Sequence, residues 1–120
     1  MATPIGRIII YTRKMAEMAD FYCRHFGFDA HQRDDDRIVE LRPASAGPPI
    51  LLHPVGRAQK QGQSIVKLVF DVEDVERFCS DAKTRGLDFG PIYRAEGYMF
   101  ANARDPSGNS VSVSSRAFAH

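Results

Sequence analysis

Within "DPSGNSVSVSSR", residues 105–116, valine alternates with serine directly after a turn signal. In a strand this alternation puts Val111 and Val113 on one face and Ser110, Ser112 and Ser114 on the other. Small hydroxyls on one face can floor a binding surface, because each both donates and accepts a hydrogen bond. They can equally well meet water, since one side of an antiparallel strand is often solvated. Tyr11, Tyr93, Tyr98 and Phe100 have the same two uses: they can stack on a planar ligand or complete a core. No Ser-His-Asp spacing, glycine-rich phosphate loop or paired-carboxylate constellation is present, so nucleophilic and phosphoryl-transfer chemistry have no support. Cys23 and Cys79 lie far from any second cysteine or histidine at zinc-like spacing and read as reduced, packed thiols.

The elements that must position these residues follow from periodicity. "GRIIIYT" is a strand, and Met15, Met18, Ala19, Tyr22 and Phe26 then fall on one helical face that Gly27 closes. "FDAHQRD", "RIVELR" and "PPILLHPV" are three further strands, parted by residues 34–36 and by "ASAGPP". After the polar linker "RAQKQGQS" the order begins again with the strand "IVKLVFDV". A second helix carries Val75, Phe78, Cys79 and Ala82 on one face, with Glu73 and Asp74 near its positive end and Gly86 closing it. "LDFGPIY", "GYMFANAR" and "NSVSVSS" supply three more strands. The spacing predicts helices near residues 15–26 and 74–85.

The element order is βαβββ twice, and the halves lie in register: Arg7 to Lys67 is an offset of 60, Gly27 to Gly86 one of 59. Such an offset marks an internal repeat. One half alone would expose a sheet face, so two halves are expected to form a curved mixed sheet around a hollow with the helices on the convex side. The expected organisation is one α+β domain over residues 1–120, with module 1 at about 5–56 and module 2 at about 64–116. The repeat makes Arg7 and Lys67 equivalent. Two cations in a low-dielectric hollow require an anion, which is either an internal carboxylate, with Glu40 or Asp71 the candidates, or a bound carboxylate, phosphate or phenolate. His53 shares the parity of Leu51 and is the one histidine expected to face the hollow, as a rim residue in one reading and a base or ligand in the other. His25 lies on a helix, His31 on an edge strand and His120 at the terminus; they form no cluster.

Three stretches in this order, "GRIIIYTRKMAEMADFYCRHFGF" with its Phe21–Tyr22 pair, "VKLVFDVEDVERFCSDAKTRG" and "DPSGNSVSV", resemble the vicinal oxygen chelate superfamily of glyoxalases, extradiol dioxygenases and bleomycin-resistance proteins. The resemblance covers nearly the whole chain. It implies a glyoxalase-like fold of paired βαβββ modules, often in a homodimer. It also implies a divalent metal held by a His or Gln on the first strand and a Glu on the last strand of each module. Here those positions are Arg7 and Lys67, and Leu51 and Ser112. None is a usual ligand, so no metal and no cofactor is expected.

The first reading is therefore a small-molecule-binding member without the metal. Its ligand, anionic and aromatic, is expected to meet Arg7, Ile9, Tyr11, Leu51 and His53 in one module and Lys67, Val69, Tyr98, Phe100, Ser110 and Ser112 in the other. A cationic, bleomycin-type ligand fits such a lining poorly. A second reading is a metal-dependent lyase or dioxygenase with a displaced ligand set that includes His53, or a metal-free enzyme using Lys67 or Tyr98 as acid or base. A third is a dimeric interaction protein whose hollow is filled by its own side chains. Sixteen basic against fifteen acidic residues, net charge +1 without blocks, name no nucleic-acid or membrane partner. The start of the chain lacks a basic region and a long apolar run, which suggests a cytoplasmic protein.

Overall fold

The apolar residues of the first strand run continuously, yet only alternate ones turn inward: β1 (Ile8–Thr12) half-buries Ile8 and Ile10, buries Thr12 and leaves Ile9 and Tyr11 about half exposed. The computed structural model describes residues 2–56 and 60–119. Part of the polar linker and His120 lie outside the described residues. The chain divides into two compact units, Met1–Gln61 and Gly62–His120.

In the first unit, β1 is followed by α1 (Met15–Phe26), β2 (Phe28–His31), β3 (Val39–Pro43) and β4 (Ile50–Pro54). The sheet order is β1-β4-β3-β2, with β1 parallel to β4 and the other pairs antiparallel. Met18, Phe21 and Tyr22 of α1 are buried with Val39, Leu41, Ile50 and Leu52 of the sheet. The expected helical stripe is thus widened by Phe21, whose ring meets that of Tyr22 edge-on at 5.0 Å. A stripe spanning more than a quarter of the helix circumference can bury adjacent positions. Gly27 ends α1 with φ 74°, a left-handed cap in which its N–H donates to the Tyr22 carbonyl.

The second unit repeats the plan: β5 (Lys67–Asp71), α2 (Val75–Thr84), β6 (Tyr93–Ala95), β7 (Tyr98–Arg104) and β8 (Ser110–Ser114), in the order β5-β8-β7-β6. β5 is parallel to β8, and β8-β7 and β7-β6 are antiparallel. The Asp74 side chain caps α2 by accepting the Arg77 N–H at 3.0 Å. Past α2, the Leu87 N–H donates to the Ala82 carbonyl, and Gly86 takes φ 94°.

Two expected strands are shorter than their sequence patterns. "LDFGPIY" pairs only from Tyr93, because Pro91 has no N–H for a ladder and Gly90 instead donates singly to the Asn102 carbonyl at 2.9 Å. "IVKLVFDV" enters its sheet at Lys67, leaving Ile65 and Val66 exposed ahead of it. Each unit is nevertheless a βαβββ module with one helix on one side of a four-stranded mixed sheet. Among the described residues no helix is long and apolar enough to cross a membrane.

Candidate functional site

With the helix covering one side of each sheet, strand alternation determines what the other side presents. In the first unit the helix-free face carries Ile9 and Tyr11 of β1 opposite Leu51 and His53 of β4, then Glu40 and Arg42 of β3. The Tyr11 and His53 rings lie 5.1 Å apart, tilted by 52°. His53 Nδ1 is 2.8 Å from the Pro54 carbonyl oxygen. A carbonyl only accepts, so the Nδ1–H donates to it. Arg7 precedes β1 and is exposed. Glu40 is not its partner, since its Oε1 meets Arg42 Nε at 2.6 Å on the same strand and face.

In the second unit the helix-free face is laid out in rows. Lys67, Ser110 and Arg104 form one row across β5, β8 and β7; Val69, Ser112 and Asn102 form the next. Asp71, Ser114, Phe100 and Tyr93 form the third. Tyr98 precedes Phe100 at the same parity, and its ring lies 5.7 Å beneath the Arg116 guanidinium carbon, within cation–π range. Tyr93 and Phe100 stack at 5.2 Å and 27°. Lys67 Nζ donates to Asn102 Oδ1 at 2.9 Å, not to Asp71. Ser112 is only 3% exposed, and its hydroxyl donates to the Ala101 carbonyl at 2.9 Å. Ser110, less buried, makes no such side-chain bond among the described residues.

The expected residues thus gather face by face: Ile9, Tyr11, Leu51 and His53 in one unit, and Lys67, Val69, Tyr98, Phe100, Ser110 and Ser112 in the other. Sequence reasoning missed Asn102, Arg104 and Arg116. The first two were within reach, because period-two counting along "YMFANAR" puts them on the face of Phe100. Two surface depressions lie away from these faces. One of about 700 Å³ is bordered by Met15, Ala16 and Ala19 of α1 with Ala30, Val39 and Pro54. The other, of about 460 Å³, touches Glu73, Gly97, Ser115 and Phe118.

The model of the Glyoxalase/Bleomycin resistance protein/Dioxygenase superfamily matches residues 4–113. The chain belongs to this superfamily. Its fold is similar to that of an antibiotic-binding protein from Streptomyces sp. CB03234, at 19% identity and TM-score 0.76 over 93% of this chain and 94% of that one. A lactoylglutathione lyase from Agrobacterium tumefaciens superposes with TM-score 0.71 at 18% identity, covering 95% and 94% of the two chains. A superfamily member from Sphaerobacter thermophilus DSM 20745 gives 0.73 at 18%, covering 94% and 97%. No curated protein matches the sequence.

The residues do not fit the divalent metal that the superfamily's enzymes imply. Among the described residues no group of three or more His, Cys, Asp and Glu side chains could hold an ion. Lys67 is a cation already hydrogen-bonded to Asn102, and the Ser112 hydroxyl points its proton at a backbone carbonyl. Arg7 and Leu51 offer no lone pair at all.

Proposed function

We propose that this superfamily member binds a small anionic, aromatic molecule on a helix-free sheet face without using a metal. One observation carries the reading: Lys67 stands on a face that also holds the Tyr93–Phe100 stack, and it is hydrogen-bonded to a neutral amide with no ion pair among the described residues. An ammonium without a carboxylate partner, beside ring faces, suits a ligand that brings a negative charge and a planar body. Arg7, exposed and without an ion pair among the described residues, extends that bias to the first unit. Tyr11, Leu51 and His53 would supply apolar contact and a polar rim group there. The likeness in fold to an antibiotic-binding protein agrees with a role in holding a small molecule.

A thermal-shift screen of aryl carboxylates, phenolates and their neutral amides tests the reading. Binders should be anionic, and Lys67→Met should weaken them by about tenfold, the scale of one charge-assisted hydrogen bond. Amides should change little. Equal binding of acids and amides, or unchanged acid affinity in Lys67→Met, would overturn it.

A further inference from the structure

The rows of the second unit's helix-free face differ in charge, and that difference assigns a direction to whatever lies on it. The first row, Lys67–Ser110–Arg104, has a cation at each side of a hydroxyl. The second contains Val69, Ser112 and Asn102 and no charge. The third has the ring stack of Phe100 and Tyr93, and the carboxylate of Asp71. Rows two residues apart along a strand are separated by roughly 6.6 Å, so the cationic and aromatic rows lie about 13 Å apart at the backbone.

The geometry points to Lys67, Ser110 and Arg104 as the subsite for the acid group of an elongated aryl carboxylate whose ring lies on Phe100 and Tyr93. This deepens the reading above and rests on it. Lys67 and Arg104 stand two strand spacings apart, roughly 9.6 Å at the backbone, a gap that two long side chains can close around one carboxylate. Arg104 is held for this role by one donor only: its Nη1 gives a hydrogen bond to the Gly108 carbonyl at 2.7 Å, and the rest of the guanidinium fork remains for an anion. Neither Arg104 nor Lys67 makes an ion pair among the described residues. Asp71 repels a carboxylate at the aromatic end, so the reverse orientation is disfavoured. Lys67 Nζ leans into the second row, to Asn102, so the ammonium lies nearer the rings than the backbone spacing and a four-carbon acid arm can bridge the gap, whereas benzoate cannot.

Titration calorimetry with benzoate, phenylbutyrate and phenylbutanamide tests this on the full chain. Phenylbutyrate should bind at least about tenfold more tightly than either other probe. Arg104→Met should remove most of that advantage, and Arg104→Gln, which keeps a donor for the Gly108 carbonyl, should do the same if the first variant unfolds. Asp71→Asn should improve benzoate binding, because the aromatic row would then tolerate an acid. If Lys67→Met weakens phenylbutyrate but both Arg104 variants bind it like the parent, the row assignment falls and the general reading stands. Benzoate binding as tightly as phenylbutyrate overturns the spacing. If no probe binds, the general reading falls and takes this subsite with it.

Discussion

Asp105 is 4% exposed and yet ionisable, and the turn between β7 and β8 explains why it is tolerated there. Its Oδ1 accepts the N–H groups of Ser107 at 3.0 Å and Asn109 at 2.9 Å, and its Oδ2 accepts Asn109 Nδ2 at 3.0 Å. Removing it leaves buried donors unpaired, so Asp105→Ala should cost about 3 kcal/mol in urea unfolding, with Asp105→Asn costing less because one acceptor oxygen remains. A loss indistinguishable from zero would show that the turn does not depend on the carboxylate. The two cysteines make a second residue-scale case. Burial raises the thiol pKa of both, and the negative charge of Asp29 pushes Cys23 further in the same direction. A raised folded value means the folded chain holds the proton more tightly than the unfolded chain. The stability tied to the neutral thiols is therefore fully present below the ordinary thiol range and lost as pH rises through the raised values. At neutral pH both thiols should react with a disulfide reagent more slowly than in urea-unfolded protein; equal rates would contradict the shielding.

At the scale of elements, two glycines with similar φ do different things. Gly27 caps α1 at φ 74°, and an added Cβ there would meet nothing within 4 Å. Gly62 has φ 72°, but a Cβ would lie 3.1 Å from the Ser107 carbonyl oxygen and 3.4 Å from the Gly108 Cα. Gly27→Ala should therefore cost about 1–2 kcal/mol, the price of a left-handed alanine alone. Gly62→Ala should cost more, since backbone on the far side must also move. Chemical denaturation of the two variants side by side checks the order, and a Gly62 variant no weaker than the Gly27 variant would refute it. The same distinction separates the caps of the two helices: α1 depends on glycine at its end, α2 on Asp74 at its start.

At the scale of the whole molecule, matched positions of the two units expose apolar side chains. Ile5 is 76% and Ile65 102% exposed, sixty residues apart and each ahead of its unit's first strand. An aliphatic side chain left bare in both halves of a repeat is apolar area that a partner chain can cover. A homodimer, as proposed from the family resemblance, would cover them. Light scattering at micromolar concentration should give twice the chain mass, with Ile65→Asp shifting the population toward monomer; a parent protein of single-chain mass would reject the dimer.

How much of this was legible in advance depends on the range of the interaction concerned. Both βαβββ modules, both helices and the alternation that sorts Lys67, Val69, Phe100, Ser110 and Ser112 onto one face follow from periods of 3.6 and 2, which are local properties of the chain. The strand after α2 was misplaced because "LDFGPIY" has an apolar pattern, whereas pairing also requires N–H groups that Pro91 lacks. What each polar group bonds to was decided only by tertiary structure. Glu40 could have neutralised Arg7, but Arg42 lies two residues along on the same strand and face, and Glu40 pairs with it instead. Likewise Ser112 looked like a free hydroxyl in sequence, until antiparallel register brought the Ala101 carbonyl within 2.9 Å. Sequence by itself determined which residues share a face, because that needs only the backbone period. Register determined which of them meet, because hydrogen bonds act over about 3 Å and neighbouring strands are set by a topology no local pattern encodes.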